Sequence, residues 1–164
     1  MKVFHRADDL QRYLQGRRTN NRSIGFVPTM GALHQGHIAL VEQSSNENQL
    51  TVVSIFVNPT QFNDPGDLEK YPRTPGKDIE FLAEAGCEVV FLPSVAEVYP
   101  QGKEEEPQTL EFNTLDKVME GAMRPGHFNG VAQVVERLLQ LTRPDVLYLG
   151  QKDYQQVAIV RSMI

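Results

Sequence analysis

Two histidines three residues apart carry the strongest chemical signal in this sequence. They close the run Pro28-Thr29-Met30-Gly31-Ala32-Leu33-His34-Gln35-Gly36-His37. On the first turn of a helix, residues three apart project from one face, so we expect both imidazoles to point the same way. Imidazole N–H groups donate to phosphate oxygens, and the N-terminal end of a helix dipole favours an anion. The pattern predicts a site for phosphate, and in particular for a nucleotide.

The elements around this turn are those with which α/β proteins present a helix to phosphate. Ile24–Val27 is apolar and predicts a short buried strand, and a helix is predicted from about Gly36. A strand, a glycine-bearing turn and a helix in that order expose the first amides of the helix to an anion.

Three better-known sites share part of this pattern but fit it less well. Gly31 and Gly36 have the Gly-x-x-x-x-Gly spacing of a P-loop, but His37-Ile38 stands where Lys-Ser/Thr is needed. The dinucleotide fingerprint Gly-x-Gly-x-x-Gly is absent. A histidine pair at this spacing suits zinc, but no Cys-x-x-Cys or nearby carboxylate completes the ligand set, so no protein metal site is predicted.

Composition limits the class of protein. The 164 residues are enough for one domain with a full core. A formal net charge of −5 without a basic stripe argues against a nucleic-acid surface. The single cysteine, Cys87, excludes an internal disulfide and fits a reducing compartment. No export signal and no run of about 18 apolar residues is visible, so we expect a cytoplasmic protein without a membrane partner.

Predicted strands and helices alternate along the chain. The strands are Ile24–Val27, Leu50–Val57, Val89–Pro93 and Val146–Leu149. Further helices are predicted through Leu10, Tyr13 and Leu14 with Asp8 or Asp9 as cap, over Lys77–Gly86, over Gly130–Leu141 with Asn129 as cap, and over Tyr154–Met163. Loops are predicted over Asn63–Gly76 and over the acidic run 102–107. Repeated β-then-α units predict an α/β fold, a parallel sheet with helices on both faces.

The residues that follow these strands should share one crevice, because ligands of such sheets sit beyond the carboxyl ends of the strands. After the first strand come Pro28, Thr29, Met30, His34 and His37; after the second, Asn58, Thr60, Gln61 and Phe62; after the fourth, Gly150, Gln151, Lys152 and Asp153, with Gln156 one turn later. Amides, imidazoles and an ammonium group are thus predicted to converge.

Five motifs in this order resemble those of the pantothenate synthetase, or pantoate–β-alanine ligase, family. They are Pro28-Thr29-Met30-Gly31-x-Leu33-His34-x-Gly36-His37, Phe56-Val57-Asn58-Pro59-x-Gln61-Phe62, Tyr71-Pro72-Arg73-Thr74, Gly121-x-x-Arg124-Pro125-Gly126-His127-Phe128-x-Gly130-Val131, and Gly150-x-Lys152-Asp153-x-Gln155-Gln156. The resemblance implies a Rossmann-like nucleotidyltransferase fold of the class I synthetase type. It also implies that residues 1–164 form the ATP- and pantoate-binding domain, and that a smaller C-terminal domain of the family is absent from this chain.

The family reaction joins pantoate to β-alanine while ATP is split to AMP and pyrophosphate, with Mg²⁺ on the nucleotide and a homodimer as the assembly. By resemblance, the ATP-binding residues are Pro28, Thr29, Met30, Gly31, Ala32, Leu33, His34, Gln35, Gly36, His37, Gly150, Gln151, Lys152 and Asp153. His37 is the expected catalytic acid, and His34 and Lys152 are further donors to the developing charge. Pantoate or β-alanine is expected at Gln61, Gln156, Asn58 and Arg124.

Two other functions stay open at this point. A nucleotidyltransferase with a phosphate nucleophile would share the fold, but it needs a cationic acceptor site, whereas Gln61 and Gln156 are neutral. A nucleotide-binding module with little turnover is the second alternative.

Overall fold

A five-stranded parallel sheet forms the centre of the protein. The computed structural model describes residues 1–18, 22–100, 112 and 114–164. The strands are β1 (Lys2–Phe4), β2 (Ile24–Thr29), β3 (Leu50–Ile55), β4 (Val89–Phe91) and β5 (Val146–Leu147). Their order is β1-β4-β3-β2-β5. The longest ladder joins β2 to β3, with Ile24 opposite Leu50 and Thr29 opposite Ile55.

Helices cover both faces of this sheet. Those of the described residues are α1 (Ala7–Arg18), α2 (Gln35–Glu47), α3 (Pro65–Lys70), α4 (Pro75–Glu84), α5 (Val95–Val98), α6 (Glu120–Met123), α7 (His127–Thr142) and α8 (Tyr154–Met163). Single 3₁₀ turns span Pro59–Gln61 and Gln151–Asp153.

The core divides into two apolar layers because successive strand residues point to opposite faces. Phe26 of β2 lies in one layer with Leu10 of α1 and Leu138 of α7. Its neighbour Val27 lies in the other layer with Val41 of α2. Each layer is fully buried at these positions, so the hydrophobic effect fixes which face each helix covers.

The chain reverses its direction across the sheet between β2 and β5. It first runs outward from β2 through β3 to β4, and β5 then pairs with the opposite side of β2. Helix α2, which follows β2, packs on one face, while α8, which follows β5, places Val160 in the layer on the other face. Such a switch point leaves a crevice beyond the carboxyl ends of the two strands.

The predicted α/β class, the parallel sheet and the helices on both faces are confirmed. The predicted strands are each present, with ends that differ by up to two residues, and α8 has the predicted bounds. The edge strand β1 was missed, because its three residues are largely exposed and are held only by pairing with β4. The loop predicted at 102–107 lies outside the described residues.

The cap predicted for α1 was wrong because a distant side chain takes that place. The helix begins at Ala7, so Asp8 and Asp9 lie inside its first turn. The Ala7 amide donates to the Glu97 carboxylate at 2.7 Å, which supplies from another element the acceptor that a local cap would give.

Two further boundaries were wrong. Helix α7 begins at His127, after Gly126 in a left-handed conformation at φ 82°, so Asn129 lies within the first turn rather than at the cap. The predicted loop Asn63–Gly76 contains α3, which Asp64 caps by accepting from the Gly66 amide at 2.7 Å.

In the described part of the chain, no helix combines the length and apolar character that crossing a membrane requires.

Candidate active site at the carboxyl edge of the sheet

The turn between β2 and α2 is held by a buried carboxylate. Gly31 and Ala32 have positive φ angles of 83° and 50°, and for alanine that conformation is strained. Asp78, which is 2% exposed, accepts hydrogen bonds from the Ala32 amide at 3.0 Å and the Leu33 amide at 2.8 Å. The Thr74 hydroxyl donates to the same carboxylate at 3.2 Å. Asp78 thus offsets the strain of the turn that leads into the histidines.

Asp78 was missed by sequence reasoning. The only local signal is its place in the first turn of α4, where acidic residues are common for helix-dipole reasons alone. Its contacts with the turn lie 45 and 46 residues away in sequence, which no periodicity reports.

The two histidines form a reciprocal cap on α2. His34 is the N-cap rather than a residue of the first turn, and its Nδ1 accepts from the Gly36 amide at 3.1 Å. Nδ1 of His37 accepts from the His34 amide at 3.3 Å, and the ring centroids lie 4.1 Å apart. Because both Nδ1 atoms accept, each neutral ring carries its proton on Nε2. Both Nε2–H groups are therefore left to donate to a ligand.

The surroundings of His37 keep it neutral at neutral pH. Its half-burial lowers the pKa of the imidazole, and the neighbouring His34 lowers it further. Asp78 and Asp153 act in the opposite direction, and Lys152 adds a smaller lowering effect. The charges of Lys152 and Asp153, which follow β5, thus act on His37, which follows the neighbouring strand β2.

The segment after β5 is exposed and open. Gln151, Lys152 and Asp153 form a 3₁₀ turn that leads directly into α8, and all three side chains are exposed. Gly150 has an ordinary φ of −70°, and no atom lies within 4 Å of the position that a Cβ would take. The fold itself therefore does not require glycine here, which leaves close approach of a ligand as a reason for it.

Gln61 lies beside the histidine turn with its side chain held at both ends. It is 9% exposed, its Nε2 donates to Met30 Sδ at 2.8 Å, and its Oε1 lies 3.4 Å from Asn58 Nδ2. Its carbonyl accepts from His127 Nδ1 at 2.9 Å and, at a longer 3.5 Å, from Arg124. The structure thus joins Gln61, which follows β3, to Met30, which follows β2.

Asn58 has a supporting place beneath Gln61 rather than an exposed one. It is 1% exposed, and its Oδ1 accepts from the Tyr99 hydroxyl at 3.1 Å. Its Nδ2 donates to the Gly130 carbonyl at 3.1 Å and to Thr60 Oγ1 at 2.9 Å. A side chain so occupied shapes the wall of the crevice beneath Gln61.

Arg124 is committed to neighbouring residues. Its Nη1 pairs with Glu120 at 2.8 Å and lies 3.5 Å from His127 Nε2.

The two glutamines in α8 differ in their surroundings. Gln156 is half-buried, whereas Gln155 is buried and holds neighbouring backbone groups by hydrogen bonds. Gln155 accepts from the Glu120 amide at 3.1 Å and donates to the carbonyls of Leu115 and Val118 at 2.6 and 2.7 Å.

An apolar cavity is lined by Met30 and Gly31 of the turn after β2. Its volume is ≈ 320 Å³, and its walls come from the ends of β3 and β4, from α3 and from α4. The switch point between β2 and β5 lies on the other side of β2 from β3 and β4. Among the described residues, no group of three or more His, Cys, Asp or Glu side chains is arranged to hold a metal ion.

The order of these motifs and the geometry of the crevice agree with a known family. Residues 2–164 match the family model described as pantoate-beta-alanine ligase. The chain belongs to the pantoate–β-alanine ligase family.

Relatives in this family are close in sequence. The pantothenate synthetase of Bacteroides thetaiotaomicron is 54% identical over 166 residues, and that of Porphyromonas gingivalis is 51% identical over 164 residues. Each alignment covers 100% of this chain and 57% of the relative, so the chain spans little more than half the length of these proteins.

Solved structures of the pantoate–β-alanine ligase family share the fold. The pantothenate synthetase from Thermus thermophilus matches with a TM-score of 0.90 and 45% identity, over 99% of this chain and 56% of that one. The ligase from Francisella tularensis, complexed with beta-gamma ATP and beta-alanine, matches with a TM-score of 0.89 and 44% identity, over 99% and 61%.

Proposed function

We propose that this chain carries the adenylating site of a pantoate–β-alanine ligase, in which ATP activates pantoate for attack by β-alanine. The observation that carries the proposal is the contact of Gln61, which follows β3, with Met30 of the turn after β2, beside the parallel strand β5 that leads to Lys152. A triphosphate needs donors and positive charge, whereas a hydroxy acid needs an amide that can pair with a hydroxyl and a carboxylate. The crevice offers both kinds of group, and the family membership points to the same pair of substrates.

In the first step the pantoate carboxylate attacks the α-phosphorus of ATP and pyrophosphate leaves with the electron pair of the bridging bond. Negative charge grows on the phosphate oxygens, and preorganised donors at such positions are worth roughly 3 kcal/mol each in favourable cases. The Nε2–H groups of His34 and His37 and the ammonium of Lys152 are the donors that we assign, because the Nδ1 atoms of both rings are already used in the cap of α2. A neutral His37 costs less to desolvate than a charged one would, which is consistent with its half-buried place.

In the second step the neutral amine of β-alanine attacks the acyl carbon of the adenylate. The amide bond forms, AMP leaves with the acyl–oxygen electron pair, and the amine loses one proton. No side-chain nucleophile is needed, and the only cysteine in the sequence, Cys87, is buried away from this edge.

Mg²⁺ is expected on the triphosphate, where it neutralises charge on the leaving pyrophosphate. Mg²⁺ retains several waters and takes one or two carboxylates in such sites. Asp153 fits this role, because it is exposed at the end of β5 and lies within electrostatic reach of His37. Asp78 does not fit it, because its oxygens are taken by two backbone amides.

Mass spectrometry of the chain mixed with ATP, Mg²⁺ and pantoate tests this function directly. We expect a pantoyl adenylate, and pyrophosphate release that depends on pantoate. Release that depends instead on a phosphate-bearing acceptor would identify a nucleotidyltransferase, and ATP binding without any release would identify a binding module.

Two variants test the assignment of the pantoate subsite. Gln61→Ala and Gln156→Ala should each weaken pantoate binding while ATP binding stays within about twofold, because a lost partner leaves a substrate hydroxyl unpaired at about 1–3 kcal/mol. Titration calorimetry with each ligand separates the effects. Equal losses for both ligands would show that the subsites are wrongly assigned.

The family resemblance implies the assembly, whereas the compartment is expected from the composition, including the single cysteine. We propose a homodimer in the cytoplasm, with no nucleic-acid or membrane partner. Sedimentation equilibrium at several protein concentrations measures the stoichiometry.

A further inference from the structure

His127 is a buried titratable group outside the chemistry described above. Its side chain is 7% exposed, and its Nδ1 lies 2.9 Å from the carbonyl oxygen of Gln61, 66 residues away in sequence. It is the first residue of α7 and follows Gly126 directly. Its ring therefore connects the start of a long helix to the short turn that carries Gln61.

The close packing of this turn on α7 leaves little freedom for Gln61. A Cβ at Gly130 would lie 2.6 Å from the Thr60 carbonyl oxygen and 2.9 Å from Gln61 Cα, so the two backbones touch directly. Asn58 adds a second tie, from its Nδ2 to the Gly130 carbonyl. The backbone of Gln61 is consequently fixed on one side by packing and on the other by the His127 hydrogen bond.

The hydrogen bond fixes the tautomer of His127. A carbonyl oxygen only accepts, so the proton of this pair must lie on Nδ1 of the ring. The remaining Nε2 then faces Arg124 Nη1 at 3.5 Å and Glu120 Oε1 at 3.9 Å. His34 and His37 carry the opposite tautomer, since their Nδ1 atoms accept from backbone amides.

We propose that His127 is a positioning residue for the hydroxy-acid subsite: it holds the Gln61 carbonyl, and so directs the Gln61 amide towards Met30 and the crevice. The inference rests on the proposed role of Gln61 and deepens it, because it names what makes that amide preorganised. Preorganisation matters because a side chain already held in its binding geometry loses less entropy when the ligand arrives. Arg124 supports the same carbonyl at 3.5 Å and acts with His127 rather than on the substrate.

Three variants of this chain separate the hydrogen bond from simple packing. His127→Leu removes the donor and keeps an apolar side chain of similar bulk. His127→Asn retains a donor, because its Nδ2 stands two bonds beyond Cβ, where the ring has Nδ1. His5→Leu is the matched control, since His5 Nδ1 makes the same kind of bond to the Leu92 carbonyl at 2.9 Å outside the switch-point crevice.

The first readout needs no ligand. Long-range ¹H–¹⁵N spectra should show His127 as the Nδ1–H tautomer. The side-chain amide signals of Gln61 can be assigned by their loss in Gln61→Ala. These signals should shift in His127→Leu but not in His127→Asn or His5→Leu. An Nε2–H tautomer for His127, or unchanged Gln61 signals in His127→Leu, would overturn the proposal. If His127→Leu does not fold, the tautomer of the parent and the signals of His127→Asn still decide it.

The second readout is affinity. We expect His127→Leu to weaken pantoate binding about fivefold to tenfold, the worth of one net hydrogen bond, with ATP affinity within about twofold and with His127→Asn close to the parent. Equal losses for both ligands, or no rescue by asparagine, would overturn the positioning role. If the parent and Gln61→Ala bind pantoate equally, the assignment of Gln61 to the pantoate subsite is wrong. The ligand-free spectra still test, independently of that assignment, whether His127 positions Gln61.

Discussion

The carboxylate of Asp78 accepts the Leu33 amide at 2.8 Å, and this one contact joins the start of α4 to the turn that precedes the histidines. Asp78 lies opposite two consecutive residues with positive φ, Gly31 and Ala32. Because the carboxylate is 2% exposed and charged, its bonds to backbone amides are of the stronger, charge-assisted kind. The shape of the proposed phosphate site therefore depends on a residue outside it.

Asp78→Asn should distort this turn, because the substitution places an NH₂ group against an amide that needs an acceptor. We expect the free energy of unfolding to fall by about 2–3 kcal/mol and ATP binding to weaken. Urea unfolding and calorimetry measure the two effects. Asp67→Asn, in the first turn of α3 and exposed, is the matched control and should change neither. ATP affinity equal to that of the parent would contradict the role given to Asp78.

His34→Ala should raise the pKa of His37, because the neighbouring imidazole is one of the two main causes of its lowering. Asp78→Asn should lower that pKa further, since Asp78 acts in the opposite direction. An NMR pH titration of the His37 ring in each variant measures both shifts. Two variants that move the midpoint in the same direction would contradict the assigned electrostatics.

Acid should destabilise the fold through His37. Because its folded pKa lies below its unfolded value of about 6.5, the unfolded chain binds the proton more readily. The contribution of His37 to the free energy of unfolding is complete at a pH above its unfolded pKa. It is lost as the pH falls through its folded pKa. Urea midpoints at several pH values should fall less steeply with acid in His37→Gln than in the parent. An equally steep loss in the variant would show that other groups dominate.

Gly150→Ala should weaken ligand binding and leave the stability of the fold unchanged, whereas Gly130→Ala should reduce both. A Cβ at Gly150 meets nothing within 4 Å, so stability should change by less than about 0.5 kcal/mol while ATP binding weakens at the proposed close approach. A Cβ at Gly130 meets the backbone of Thr60 and Gln61, so unfolding should become easier by about 1–3 kcal/mol and pantoate binding should weaken. If Gly150→Ala binds ATP as the parent does, no ligand approaches that backbone.

The thiol of Cys87 should be unreactive in the folded chain. Burial raises its pKa to about 12, and its Sγ lies 3.2 Å from the Val89 carbonyl oxygen. The thiolate is the reactive form, so labelling with a disulfide reagent near about pH 8 should be slow until urea unfolds the chain. Fast labelling of the native protein would contradict the buried position.

Local chemistry was sufficient to predict the class of fold and the strand–turn–helix unit that carries His34 and His37. Apolar runs such as Ile24–Val27 and Leu50–Val57 bury on both sides and therefore mark parallel strands without any knowledge of their partners. The spacing of His34 and His37 and the glycine before them fix a strand–turn–helix unit, because all the contacts involved lie within a few residues. The place of β5 beside β2 was not predicted, because the general rule for such sheets gives a shared crevice and no strand order.

Tertiary structure decided what supports each functional side chain. Asp78 reaches the histidine turn across 45 residues and His127 reaches Gln61 across 66, and no periodic pattern encodes a single long-range hydrogen bond. Asn58 and Arg124 are predicted at the substrate, and the structure adds the protein groups that they contact, which are Tyr99, Gly130 and Glu120. A polar side chain near a site can bind a ligand or hold the wall, and only the partners that folding brings within about 3 Å of it decide which.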